Sequence, residues 1–202
     1  MPTMRGVALA ILLAMAGEGA ASAAKLMRRD VPVAVARSEL TVTPAEDWNR
    51  IGTRPGRNAE SWTLDGLGLN DLTFYGGIAD DRTLFRDARR KTDPLPRYSR
   101  TMLAPDIARL FESSYRVAAG TSLMAIDMIE PARFAGRPGF RFAYHFTLQG
   151  EEVRRKGEAT GAVVDGRLYL IAFEAPEIHY FDAGIERARA IIASARIVPI
   201  VK

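Results

Sequence analysis

Four cations, Arg141, His145, Arg154 and Lys156, are the side chains of this sequence whose spacing most resembles a binding site. They sit at same-parity positions of two neighbouring strand-like segments, and such positions face the same way on a strand. Convergent cations can hold a carboxylate or a phosphate, arginine adding a two-pronged hydrogen-bond geometry. A plainer reading makes them a solvated polar face whose charges pair with Glu152 and Glu158. Each such cross-strand pair contributes roughly 0.2–1 kcal/mol.

Other chemistry is harder to build. The two histidines, His145 and His179, have no third ligand at a recognised spacing, and no HExxH occurs, so no metal site is expected. There is no G-x-S-x-G elbow, and Ser113-Ser114 reads as helix packing and surface. Gly66-Leu-Gly68 lacks the third glycine and the strand–helix setting of a dinucleotide loop. Glu174, Glu177 and Asp182 gather at a strand-to-helix junction. Acids in a first helical turn gain about 0.3–1 kcal/mol each from the helix dipole, which explains them without paired-carboxylate catalysis. Trp48 and Trp62 read as core or edge packing rather than a ligand platform. These residues imply no catalytic group and no cofactor.

The start of the chain has to be set aside before any fold is considered. Arg5 follows the initiating methionine, residues 6–17 are apolar, and Ala21-Ser22-Ala23 offers small residues to a signal peptidase. The expectation is a Sec-type signal peptide over 1–23. A membrane span needs roughly 20 apolar residues, and Glu18 ends this run too early. The mature protein is therefore expected in the periplasm or outside the cell, with no membrane span after cleavage.

The chain has 202 residues and no cysteine, which excludes a lipid anchor at the cleavage site, disulfides and thiolate metal sites. It must rely on its core, and a domain of roughly 150 residues buries about 68–70% of its unfolded surface. The net charge is +4, spread along the sequence, too weak and too dispersed for a nucleic-acid footprint. Lysine supplies only Lys25, Lys91, Lys156 and Lys202 among the 28 basic residues.

The elements that must position the cations follow from periodicity. Residues 24–37 read as a linker or flexible arm, and 38–202 as a single domain. A short strand at 40–43 precedes a turn or one helical turn at 44–51 carrying Trp48. Segments 61–64 and 69–77 are strand-like, with Asp65-Gly66 between them. Residues 80–99, polar and interrupted by Pro94 and Pro96, read as a long surface loop. A helix is expected over 105–118, with Pro105 at its start and Gly120 at its stop. Strands follow over 123–134, 139–148, 152–164 and 167–175. A helix over 177–195 and a terminal strand over 196–198, closing the sheet edge, complete the chain. The clearest signal is the alternation of Phe140, Phe142, Tyr144, Phe146 and Leu148 with Arg141, Ala143, His145 and Thr147.

Asp165-Gly166 is a strong hairpin signal. If it and Gln149-Gly150 are both two-residue turns, Val163 opposes Leu168, Gly161 opposes Leu170, Arg141 opposes Glu158 and His145 opposes Arg154. One face then carries Phe140, Phe142, Phe146, Ala159, Val163, Leu168 and Leu170. On the other, Tyr169, Ile171 and Phe173 need cover, while Arg141, His145, Arg154, Lys156 and Glu158 want water or a partner. The expected fold is α+β, an antiparallel sheet with helices on both faces in a three-layer α/β/α sandwich.

Trp48 before a short turn, a strand holding Trp62, a meander of long strands, then Leu168-Tyr-Leu-Ile-Ala-Phe-Glu-Ala-Pro176 leading into a terminal helix and Arg196-Ile-Val198 together resemble the PsbP-like α/β/α sandwich. That group includes the photosystem II extrinsic protein, a nuclear Ran-binding protein and many secreted bacterial proteins of unknown role. The resemblance covers roughly residues 38–198 and implies non-catalytic binding or scaffolding by analogy. The function expected is a non-enzymatic binding or accessory module of the cell envelope, its partner an envelope protein. The alternatives are a domain binding a small anionic ligand on the cationic face, and an enzyme with a scattered site.

Overall fold

Alternation decides the centre of the fold. Phe140, Phe142, Tyr144 and Phe146 are all buried, and the residues between them are half-buried on the opposite face. In the computed structural model, which describes residues 25–88, 91–121 and 123–198, these residues form a long strand one in from the edge of a large antiparallel sheet. The expected signal peptide lies outside the described residues.

The strands are β1 (Lys25–Met27), β2 (Val33–Ala34), β3 (Leu40–Val42), β4 (Trp48–Arg50), β5 (Ala59–Thr63) and β6 (Asp71–Ile78). Helix α1 (Ala104–Ala119) follows, then β7 (Ala125–Phe134), β8 (Arg137–Thr147), β9 (Arg154–Val164) and β10 (Arg167–Pro176). Helix α2 (Tyr180–Ser194) and β11 (Arg196–Ile197) end the described chain. Eight strands order as β1-β4-β5-β6-β10-β9-β8-β7, and β11-β3-β2 form a second small sheet. α1 packs on one face of the large sheet and α2 on the other, giving the three layers.

Each helix is fixed by local chemistry. Before α1, the Leu103 N–H donates to Asp106 Oδ2 at 3.1 Å, and Gly120 in the left-handed region ends the helix. Beneath α1 lie Phe140, Phe142, Tyr144, Phe146, Leu168 and Leu170. Beneath α2 lie Tyr169, Ile171 and Phe173, the apolar side chains that needed cover, together with Trp62 and Phe74.

The Asp165-Gly166 hairpin has the expected register, with Leu168 opposite Val163 and Leu170 opposite Gly161. Both turn residues take positive φ, as a type I′ turn requires. The preceding hairpin differs. β8 and β9 are joined by residues 148–153 rather than by a two-residue turn, so the pairing moves by two: His145 opposes Lys156 and Arg141 opposes Thr160. An even shift leaves every side chain on its expected face.

The remaining differences lie at the periphery. Trp48 is in a strand, not a helical turn, paired with Met27 and fully buried. Residues 24–37 do not form a loose arm where the structure describes them: β1 extends the large sheet, β2 pairs with β3, and Met27, Val35 and Ala36 are buried. β11 pairs with β3 in the small sheet instead of closing the large one. The described residues of the stretch 80–99 form the expected loop, yet they bury Leu84, Leu95 and Tyr98 and so act as cover for the sheet.

Candidate functional site

Arg141, His145, Arg154 and Lys156 do share one sheet face, and each is met by a carboxylate. Arg141 pairs with Glu130 and, at 3.8 Å, with the buried Glu158. His145 Nδ1 lies 2.6 Å from Asp127, while Lys156 and Arg154 both hold Glu177, at 2.9 and 3.4 Å. Arg189 of α2 adds two hydrogen bonds to Glu158, at 3.0 and 2.6 Å. Glu177 therefore serves these cations and not a helix dipole. Since α2 begins at Tyr180, only Asp182 of the three junction acids lies in its first turn.

The third junction acid, Glu174, is at the centre of a different site. It lies on the α1 side of β10, directly opposite Asp71 of β6. The next same-face pair is Ala172 with Thr73, and Ser61 of β5 faces Thr73 in turn. These residues form the floor of a cavity of about 570 Å³. One turn of α1 supplies Phe111 and Tyr115 as a wall, and Phe85 to Ala88 with Leu95 come from the covering loop. The loop is seated by the Arg86 N–H, which donates to the Pro55 carbonyl at 2.7 Å. Tyr75, Phe85, Phe111 and Tyr115 meet at ring-centroid distances of 5.7 to 6.4 Å and make the apolar side of the space.

Two tyrosines hold Glu174. Tyr115 donates to Oε1 at 2.7 Å and Tyr144 to Oε2 at 3.1 Å. Tyr144 reaches it from β8 by lying across Gly157 of β9: a Cβ there would stand 2.1 Å from the Tyr144 ring. Burial, then the charge of Asp71, push the Glu174 carboxyl up to about 7, against the opposing pull of the two hydroxyls and Arg155. Burial also raises Asp71, with Arg155 and the Gly68 backbone opposing. The Tyr144 and Tyr75 hydroxyls are raised well above their ordinary range, by burial first and by Glu174 second. Asp71 Oδ1 is buried without a hydrogen-bond partner among the described residues. The floor thus sets the Glu174 carboxyl, raised to about 7, beside Asp71, whose carboxyl is also raised and whose Oδ1 is unpartnered among the described residues.

Sequence reasoning singled out Glu174 only as a junction acid and did not single out Asp71 at all. A signal was available, because Glu174 is a lone acid in a strand otherwise apolar on both faces.

Among the described residues, no helix is long and apolar enough to cross a membrane. No protein-family model matches the chain, and no curated protein matches it by sequence. Solved structures do. Cyanobacterial PsbP (CyanoP) from Synechocystis sp. PCC 6803 superposes with a TM-score of 0.54 at 14% identity, over 92% of this chain and 98% of that one. LpqN, involved in cell envelope biogenesis of Mycobacterium tuberculosis, gives 0.38 at 9%, over 90% and 88%. A Pseudomonas aeruginosa protein of unknown function gives 0.37 at 11%, over 89% and 99%. The likeness to CyanoP shows a PsbP-like fold, the one resembled by the order of elements in the sequence.

Proposed function

We propose that this chain is an exported, non-enzymatic binding module of the cell envelope, and that it holds a small molecule in the cavity between α1, the covering loop and strands β5, β6 and β10. The observation that carries this reading is the cavity itself. Its volume of about 570 Å³ falls in the range of small-molecule sites, and it joins apolar aromatic walls to a few placed polar groups. The export part rests on the pattern of residues 1–23. An anion on the opposite face would have to displace the acids that already hold Arg141, His145, Arg154 and Lys156. The cavity floor has an acceptor with no partner to displace among the described residues.

A fragment library screened by ligand-observed NMR tests the reading. Hits are expected to compete with one another and to be lost when the space is filled, by Thr73→Phe on the floor or, independently, by Ala119→Phe on the helix wall. Hits that persist in a folded filled variant, or an absence of hits, overturn it.

A further inference from the structure

We propose that the cavity selects an organic cation, a primary amine carried on a flat apolar body. This rests on the cavity being a ligand site and adds the charge and shape of what enters. Among the described residues four acids line the space, Asp71, Glu174, Asp87 and Asp93, against one lining cation, the exposed Arg86. Arg155 lies behind Asp71, with its guanidinium held by the Gly68 carbonyl at 2.8 Å and by Glu151 at 3.4 Å. Acceptors on Asp71, Glu174 and Tyr75 are open to a guest, as is Asp87 Oδ1 of the loop, which has no partner among the described residues. Asp71 Oδ1 likewise has no partner among them. Glu174 accepts one hydroxyl on each oxygen and retains further lone pairs. Tyr75 is only 2% exposed, lines the cavity, and its hydroxyl makes no hydrogen bond among the described residues. A primary ammonium brings three donors and no acceptor, the complement of a floor that offers acceptors and negative charge.

The aromatic walls complete the match. Phe85, Phe111 and Tyr115 line the cavity as one aromatic cluster, and aromatic surface of this kind attracts a cation and buries a flat hydrocarbon. Among the described residues, no group of three or more His, Cys, Asp or Glu stands close enough to hold a metal ion. Binding should follow the ionisation of Glu174. The groups facing it are Asp71 and Tyr75 from β6, Tyr115 from α1, Tyr144 from β8 and Arg155 from β9, with Arg86, Asp87 and Asp93 of the loop on the same cavity. With that carboxyl near 7, an ammonium binds more tightly at pH 8 than at pH 6, by up to about tenfold.

Isothermal titration calorimetry of the purified protein with three indoles of one size decides the matter: tryptamine, tryptophol and indole-3-acetate. Tryptamine is expected to bind at least about tenfold more tightly than tryptophol at pH 8, with indole-3-acetate weakest. Glu174→Gln or Asp71→Asn should each remove most of that preference, bringing the tryptamine and tryptophol affinities together; either variant suffices if the other fails to fold. Equal binding of tryptamine and tryptophol, or a preference that survives both substitutions, overturns the cation assignment and leaves the cavity a ligand site. If none of the three indoles binds, the assignment falls and the reading of the cavity as a ligand site is weakened with it.

Discussion

The two faces of the large sheet are closed in different ways. On the α2 face a helix lies tight against the strands: a Cβ at Gly184 would stand 2.5 Å from the Phe173 ring, and Trp62 meets Phe74 edge-on at 4.6 Å. The charge beneath that helix, Glu158, is matched by Arg189 and Arg141. On the α1 face the helix lies nearest β7 and β8 and reaches β10 with Phe111 and Tyr115, while over β5 and β6 the cover comes largely from the described part of the 80–99 loop. A loop cannot interdigitate with a sheet as a helix does, so space is left. Into that space project two carboxyls with raised affinity for protons. The same sheet thus carries one face spent on stability and one partly released from it, and binding groups belong on the second.

The contrast can be broken by substitution. Phe173→Ala on the closed face should cost about 3–5 kcal/mol of unfolding free energy, the usual cost of emptying a packed aromatic site. Chemical denaturation checks it. Glu174→Gln should act through pH. A carboxyl raised from 4.5 to about 7 binds its proton more tightly in the folded state. The associated stability is present below pH 4.5 and is lost as pH rises through 7. Replacing it with glutamine should therefore help little at pH 4.5 and up to about 3 kcal/mol at pH 8, read from denaturation curves across that range. A pH-independent difference would mean that the cavity does not isolate this group. His145→Ala, on the solvated rim of the α2 face, should change stability by less than about 1 kcal/mol. A larger loss there would mean the cationic face is built more tightly than its half-exposed pairs indicate.

What the sequence discloses follows the range of the interactions. The alternation of β8, the Asp165-Gly166 turn and the apolar face of α2 are local patterns, and the two cores are assembled from them. The three-residue strands β1 and β4 escape such reading because each is defined by a partner distant in sequence, Met27 against Trp48. The cationic residues could be placed on one face by parity alone. Their acids on β7, Asp127 and Glu130, follow from a strand pairing that no turn motif advertised. The cavity floor is the extreme case. Asp71 and Glu174 face one another only after β6 and β10 pair across most of the domain, through a register irregularity between Leu168 and Leu170.

The ring of Tyr144 lying over Gly157 ties two positions on adjacent strands into one unit. Among related sequences the two sites should vary in concert: wherever a side chain larger than hydrogen arises at 157, the aromatic at 144 should have shrunk or turned away. Such a lineage would have lost one of the two hydroxyls that steady Glu174, so the pair marks, in an alignment, which descendants retain this cavity's chemistry.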